Sequence, residues 1–93
     1  MILTPSAEGD LDYFKRFEQR LIVDAFKRYL RNDADVESQH RKQLGDNPLA
    51  PWELRLGKYR VFYEIGNASI VKIVAIGYKE HNDFFIRGQK VEL

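Results

Sequence analysis

Two short runs of alternating apolar and polar residues, Trp52-Glu53-Leu54-Arg55-Leu56 and Tyr59-Arg60-Val61-Phe62-Tyr63, are joined by Gly57-Lys58. A period of two marks strands with one buried and one solvated face. Gly57 suits the first central position of a two-residue hairpin turn, which needs a positive φ. A β-hairpin carrying arginines is therefore expected. A third strand-like run, Ile70 to Ile76, follows Gly66-Asn67-Ala68-Ser69 and ends in the polar stretch Gly77-Tyr78-Lys79-Glu80-His81-Asn82. The pattern predicts a small antiparallel meander with cations at its strand ends.

A helical region precedes these strands. Thr4 is a good N-cap, Pro5 fits the first helical position, and Glu8 sits near the positive end of the helix dipole. Leu11, Phe14, Leu21, Ile22, Ala25, Phe26, Tyr29 and Leu30 recur at three-and-four spacing, which predicts an amphipathic helix up to about Leu30. With no Gly or Pro inside the periodic stretch, the residues alone predict one long helix. Asn32 and Asp33 favour turns and should end it. Residues 34–51 are polar and contain Gly45-Asp46-Asn47-Pro48, so they read as linker and turn with room for a short helical piece. The end of the chain, Phe84 to Leu93, reads as a further short hairpin about Arg87-Gly88.

At 93 residues with 44% hydrophobic residues, the whole of 1–93 is expected to form a single domain with one modest core. The chain has 15 basic and 14 acidic residues, a net charge of +1. Global charge therefore does not mark a nucleic-acid binder, and what matters is where the cations cluster. Arg41, Lys42, Arg55, Lys58 and Arg60 lie in the linker and hairpin, while much of the acid lies upstream. Cysteine is absent, which excludes disulfides and cysteine-ligated zinc and fits a reducing compartment. The N-terminus lacks signal-peptide character and no run approaches membrane-spanning length, so a cytoplasmic protein is expected. His40 has no partner at ligand spacing, and no metal site is expected. P-loop, nucleophile-elbow and dinucleotide fingerprints are missing too.

The order Leu54-Arg55, Gly57, Tyr59-Arg60-Val61 and Tyr63 on a hairpin, then an apolar strand ending in Ile76-Gly77 and a basic/His segment, resembles the RelE/ParE superfamily of bacterial toxin–antitoxin toxins. That resemblance covers nearly the whole chain. It implies an α+β fold in which two N-terminal helices, a helical hairpin broken near Phe17-Glu18, pack on a small antiparallel sheet. The family's first strand normally precedes the helices, and Ile2-Leu3 alone are available for it. Either a truncated strand or a start codon upstream of Met1 is expected, and a missing edge strand would leave the helix pair on a sheet of three main strands. Many relatives end in a mobile helix instead of a hairpin.

The resemblance further implies a type II toxin, in the first reading a ribosome-dependent endoribonuclease that cleaves mRNA. Its partners would be a cognate antitoxin, mRNA and the ribosome, with no cofactor. Metal-independent RNA cleavage needs a base, an acid and cations to stabilise the phosphorane. Arg60 matches the family's central-strand arginine, whose planar fork suits bidentate phosphate contact; pairing with Glu64 or another acid on the sheet face is its plain structural alternative. Lys79 stands where relatives have an arginine or a His-Arg pair. His81 is the nearby group with an ordinary pKa of about 6.5. These three are the catalytic candidates, with Arg41, Lys42, Arg55, Lys58 and Phe85 as RNA contacts. Phe85 replaces a family tyrosine, keeping a stacking ring without a proton to give. Glu53 falls where some relatives place a lysine. Trp52, Tyr59, Tyr63 and Tyr78 are expected to pack the sheet. A gyrase-binding toxin similar to ParE, without chemistry of its own, is the alternative, and a degenerate member that only binds its antitoxin is the other.

Overall fold

The computed structural model describes residues 1–92. It contains β1 (Ile2–Leu3), α1 (Pro5–Asp12), α2 (Arg16–Ala25), β2 (Arg41–Gln43), β3 (Trp52–Leu56), β4 (Tyr59–Ile65), β5 (Val71–Glu80), β6 (Asp83–Ile86) and β7 (Gln89–Val91). The strands form one open sheet in the order β2-β3-β4-β5-β6-β7, antiparallel throughout, with β1 added parallel to β5. The two helices cover one face, giving the expected α+β fold. Among the described residues no helix is long and apolar enough to cross a membrane.

The single long helix drawn from periodicity does not form. Thr4 caps α1 through a 3.1 Å hydrogen bond from the Ala7 amide. The chain then breaks between Asp12 and Arg16, upstream of the expected Phe17-Glu18. No breaker residue is involved, because side chains terminate the turns: the Lys15 amide donates to Glu18 Oε1 at 3.2 Å, and Gln19 Nε2 donates to the Phe14 carbonyl at 2.8 Å. This turn leaves Phe14 buried against Tyr59 and Tyr78. At its far end α2 continues as a π-helical turn, Phe26–Leu30. Arg41 closes that turn by donating to the carbonyls of Tyr29 and Val36 at 3.1 and 2.7 Å, a cation where the helix dipole is negative.

The polar 34–51 region holds a strand, not only linker and turns. β2 pairs with β3 in the register Arg41↔Leu54, Lys42↔Glu53 and Gln43↔Trp52. Ser38 Oγ accepts from the Arg41 amide, and Glu37 Oε2 from the Gln43 amide. Side chains thus occupy backbone donors on an edge that would otherwise template further pairing. Hydrophobic alternation could not reveal β2, since a short edge strand needs little burial.

Ten residues long, β5 is the centre of the sheet. β4 lies along one side of it, with a one-residue bulge where Phe62 pairs with Ala75 but Tyr63 with Ile73, leaving Val74 extra. On the other side β1 pairs with Lys72 and Ile73, and β6 with Tyr78 to Glu80. Between them α1 supplies what a strand would: the Ile76 amide donates to Asp10 Oδ2 at 3.0 Å. Asp10 is 2% exposed, and its Oδ1 accepts from Arg87 Nε at 2.8 Å. Arg87 also donates to the Ser6 carbonyl at 2.8 Å. Arg87 and Gly88 form the β6–β7 turn with φ values of 50° and 76°, so the expected C-terminal hairpin is present and is pinned to α1. Gly77 allows this arrangement, since a Cβ there would meet the Phe85 carbonyl and the Phe84 ring.

Ile22, Ala25, Phe26 and Leu30 pack on Leu54, Val61, Tyr63 and Ile73 to form the main core. The buried Tyr63 hydroxyl donates to the Ala34 carbonyl at 2.7 Å. Phe62, Ala75, Phe84 and Ala50 form a smaller cluster on the opposite face.

Asp10→Ala should lower stability by about 2–4 kcal/mol, because it leaves the buried Ile76 amide without an acceptor and removes the ion-pair partner of Arg87. Urea unfolding measures this, and a loss below about 0.5 kcal/mol would remove Asp10 from its central place.

Glu18 gives a pH-dependent test. The Tyr59 hydroxyl donates to Glu18 Oε2 at 2.6 Å, and Lys58 Nζ lies 3.9 Å away. The Tyr59 bond is the largest influence holding the Glu18 carboxyl below its ordinary value of 4.5. Its stabilisation is therefore present above 4.5 and lost as pH falls through the depressed folded-state value. Burial, then Glu18, pushes Tyr59 up to about 12, so that contribution is lost only in strong alkali. Glu18→Gln should cost about 1 kcal/mol at neutral pH. The gap from wild type in thermal scans should close steadily below pH 4.5.

Candidate functional site

Away from the helices, the sheet presents a cleft of about 340 Å³ whose lining includes Glu53, Arg55, Arg60, Lys79, Asp83 and Lys90. Strand alternation builds it. Arg55 and Arg60 are direct partners across β3 and β4, and Arg60 is paired in turn with Gly77 of β5. Lys79 is paired with Phe84, which lies at the cleft. Glycine at 77 makes room for the Phe84 ring, which borders the cleft.

Two arginines directly opposite each other repel. Glu53, only 7% exposed, relieves this by accepting from Arg55 Nε. Arg60 folds back on the turn, donating from Nη1 to the carbonyls of Gly57 and Tyr59 at 2.6 and 2.8 Å. It has no bond to Glu64, whose carboxylate lies 3.6 Å from Lys72. Burial lowers the Arg60 pKa, Glu53 opposes that, and Arg55 adds to it; the guanidinium remains protonated at any physiological pH. Lys90 Nζ lies 3.5 Å from Asp83 and 3.8 Å from Glu92. Lys79 has no ion-pair partner among the described residues. The cleft therefore offers two guanidiniums and a free ammonium to an anion, within a rim of carboxylates.

Arg55, Arg60 and Lys79 are brought together. Lys42, the cross-strand partner of Glu53, shares their face of the sheet. The other candidates lie elsewhere. Arg41 is spent on the end of the π turn. Lys58 sits on the helix side, near Glu18 and 5.5 and 5.9 Å above the Tyr59 and Tyr78 rings. His81 occupies the exposed β5–β6 turn with φ 52° and does not line the cleft. Phe85 faces the helix side, stacked on Tyr78 with centroids 5.4 Å apart, and Tyr78 stacks in turn on Tyr13. Sequence reading assigned no site role to Asp83, Lys90 or Glu92. Their only signal was the alternation of the final hairpin, which does not say over which part of the sheet it folds.

The family model described as the ParE toxin of a type II toxin–antitoxin system, parDE, matches residues 1–82. No curated protein matches the chain. The match takes in the helices and the strands that carry Arg55, Arg60 and Lys79, while the acidic half of the cleft at Asp83 and Glu92 lies past it. Most of this chain, both helices and the sheet through β5, thus falls within one family model, and the protein belongs to the ParE toxin family of type II toxin–antitoxin systems, within the RelE/ParE superfamily.

Proposed function

We propose that this toxin acts by binding, with DNA gyrase as its target, rather than by cleaving mRNA. The observation that carries the reading is the make-up of the cleft. Its cations are interleaved with the carboxylates of Glu53, Asp83 and Glu92, and neither a histidine nor a tyrosine lines it among the described residues. General acid catalysis at neutral pH works best with a donor whose pKa lies near neutrality, as a histidine's ordinarily does. A mixed-charge surface instead suits a protein partner, where complementary charges set specificity and register. The same fold hosts both behaviours and cannot by itself decide, but the matching family model is that of ParE toxins, which supports the same choice.

The ribonuclease reading keeps one observation in its favour: Arg55, Arg60 and Lys79 line one cleft and could contact a phosphate. One pair of assays separates the two. Purified toxin should inhibit gyrase supercoiling and accumulate linear plasmid, while primer extension on programmed ribosomes should find intact mRNA. Cleaved mRNA with normal supercoiling would reverse the assignment. Arg60→Ala should weaken gyrase inhibition roughly tenfold or more, the worth of one charged hydrogen bond, with little change in melting temperature. Phe85→Tyr should not create RNA cleavage, because its ring is turned to Tyr78, away from the cleft.

A further inference from the structure

The net charge of +1 hides an uneven spread of cations. Residues 16–31, which form α2 and its π turn, hold five basic residues and two acidic ones, so the remainder of the chain is net acidic. Arg16, Arg20, Lys27 and Arg31 follow one another at steps of four, seven and four residues, which return to the same side of a helix. The fold keeps them side by side: Arg16, Arg20 and Lys27 border one hollow with Val23, and Lys27 and Arg31 border the next with the same Val23. All four are exposed, and none has an ion-pair partner among the described residues.

A helix face that is merely solvated interleaves opposite charges at i and i+4. Here Arg16 precedes Arg20, and Lys27 precedes Arg31, by four residues, two like-charge pairs that work against the helix. Arg16 also stands at the start of α2, where the dipole disfavours a cation. Asp24 borders the stripe without an ion pair to any of its cations. The exposed Phe17 and Leu21 each follow an arginine by one residue, about 100° further round the helix, so they lie beside the stripe and not in it.

We propose that this stripe holds the phosphate backbone of duplex DNA while the cleft, on the opposite side of the sheet, meets gyrase. The choice of DNA rests on the gyrase reading, since duplex DNA is the substrate of that enzyme. Phosphate contacts need well-placed cations and little else. The stripe is roughly 20 Å long, enough to meet several phosphates of a duplex that carries about one charge per 1.7 Å of its axis. A protein partner would call for apolar anchors at the centre of its contact, which the stripe lacks.

Fluorescence anisotropy of a labelled duplex with the toxin alone, across a salt series, tests the stripe without gyrase. Four phosphate contacts give an expected slope of log K against log salt of about −3.6. Arg20→Gln with Lys27→Gln should weaken binding roughly tenfold or more and flatten the slope by about 2, with no fall in melting temperature. The same pair should raise the toxin concentration that half-inhibits gyrase supercoiling severalfold. No salt-dependent duplex binding by the unmodified toxin, or binding that the double substitution leaves unchanged, overturns the proposal. So does binding that Lys79→Gln removes and the stripe substitutions do not, which would place the phosphates in the cleft. Tighter binding to a single-stranded RNA of the same length overturns the assignment of DNA, and binding to phosphatidylglycerol vesicles without binding to the duplex overturns it in favour of a lipid surface. A toxin that holds the duplex through these residues yet leaves supercoiling untouched refutes the gyrase reading alone. One that inhibits supercoiling without holding DNA refutes this proposal alone.

Discussion

The Asp10 carboxylate is the interaction on which the rest of the structure depends. β5 is longer than any neighbour on its outer side, and β1 and β6 meet it only at its two ends. A buried amide left in the gap would cost as much as several favourable contacts gain. Asp10 accepts that amide with one oxygen and the Arg87 guanidinium with the other. One side chain thereby joins α1, the central strand and the C-terminal hairpin. Where that hairpin sits decides what surrounds Lys79 and Arg60, so the shape of the cleft follows from an acid far from it in sequence.

The sheet divides the molecule into two chemically different sides. Toward the helices lie the main core and the stack of Tyr13, Tyr78 and Phe85. Away from them lies a small apolar cluster bordered by arginine, lysine and carboxylate. A residue's side is set by strand parity, and parity is unforgiving: a one-residue shift moves a ring from the cleft to the opposite face. Phe84 and Phe85 illustrate this, adjacent in the chain yet at the cleft and at the aromatic stack respectively. On the helix side the outer surface of α2 carries cations without ion-pair partners among the described residues, beside the exposed Phe17 and Leu21.

Much of this was legible in the residues. The β3–β4 hairpin, the apolar β5, the Thr4-Pro5 helix start and the Arg87-Gly88 turn each rest on local rules of alternation, capping and turn chemistry. Those rules act between near neighbours and leave direct marks in sequence. The grouping of Arg55 with Arg60 was also readable, since a two-residue turn sets the register of the strands beside it. The helix break was not, because it is made by Glu18 and Gln19 caps and by the burial of Phe14 under the sheet, with no breaker residue to announce it. Nor was β2, whose polar residues are held by backbone pairing at an edge.

By itself the sequence determined the class of fold, the order of its main elements and the family resemblance, because these depend on periodicity and on a motif carried within one hairpin. Only the tertiary structure decided which cations share a surface. Arg41 was withdrawn to a helix end, Lys58 to an aromatic pair and Phe85 to a stack, while Asp83, Lys90 and Glu92 were brought to the cleft. The physical reason is that a charged or aromatic side chain goes to whichever partner satisfies it, and those partners are brought within reach only when the elements that carry them pack together.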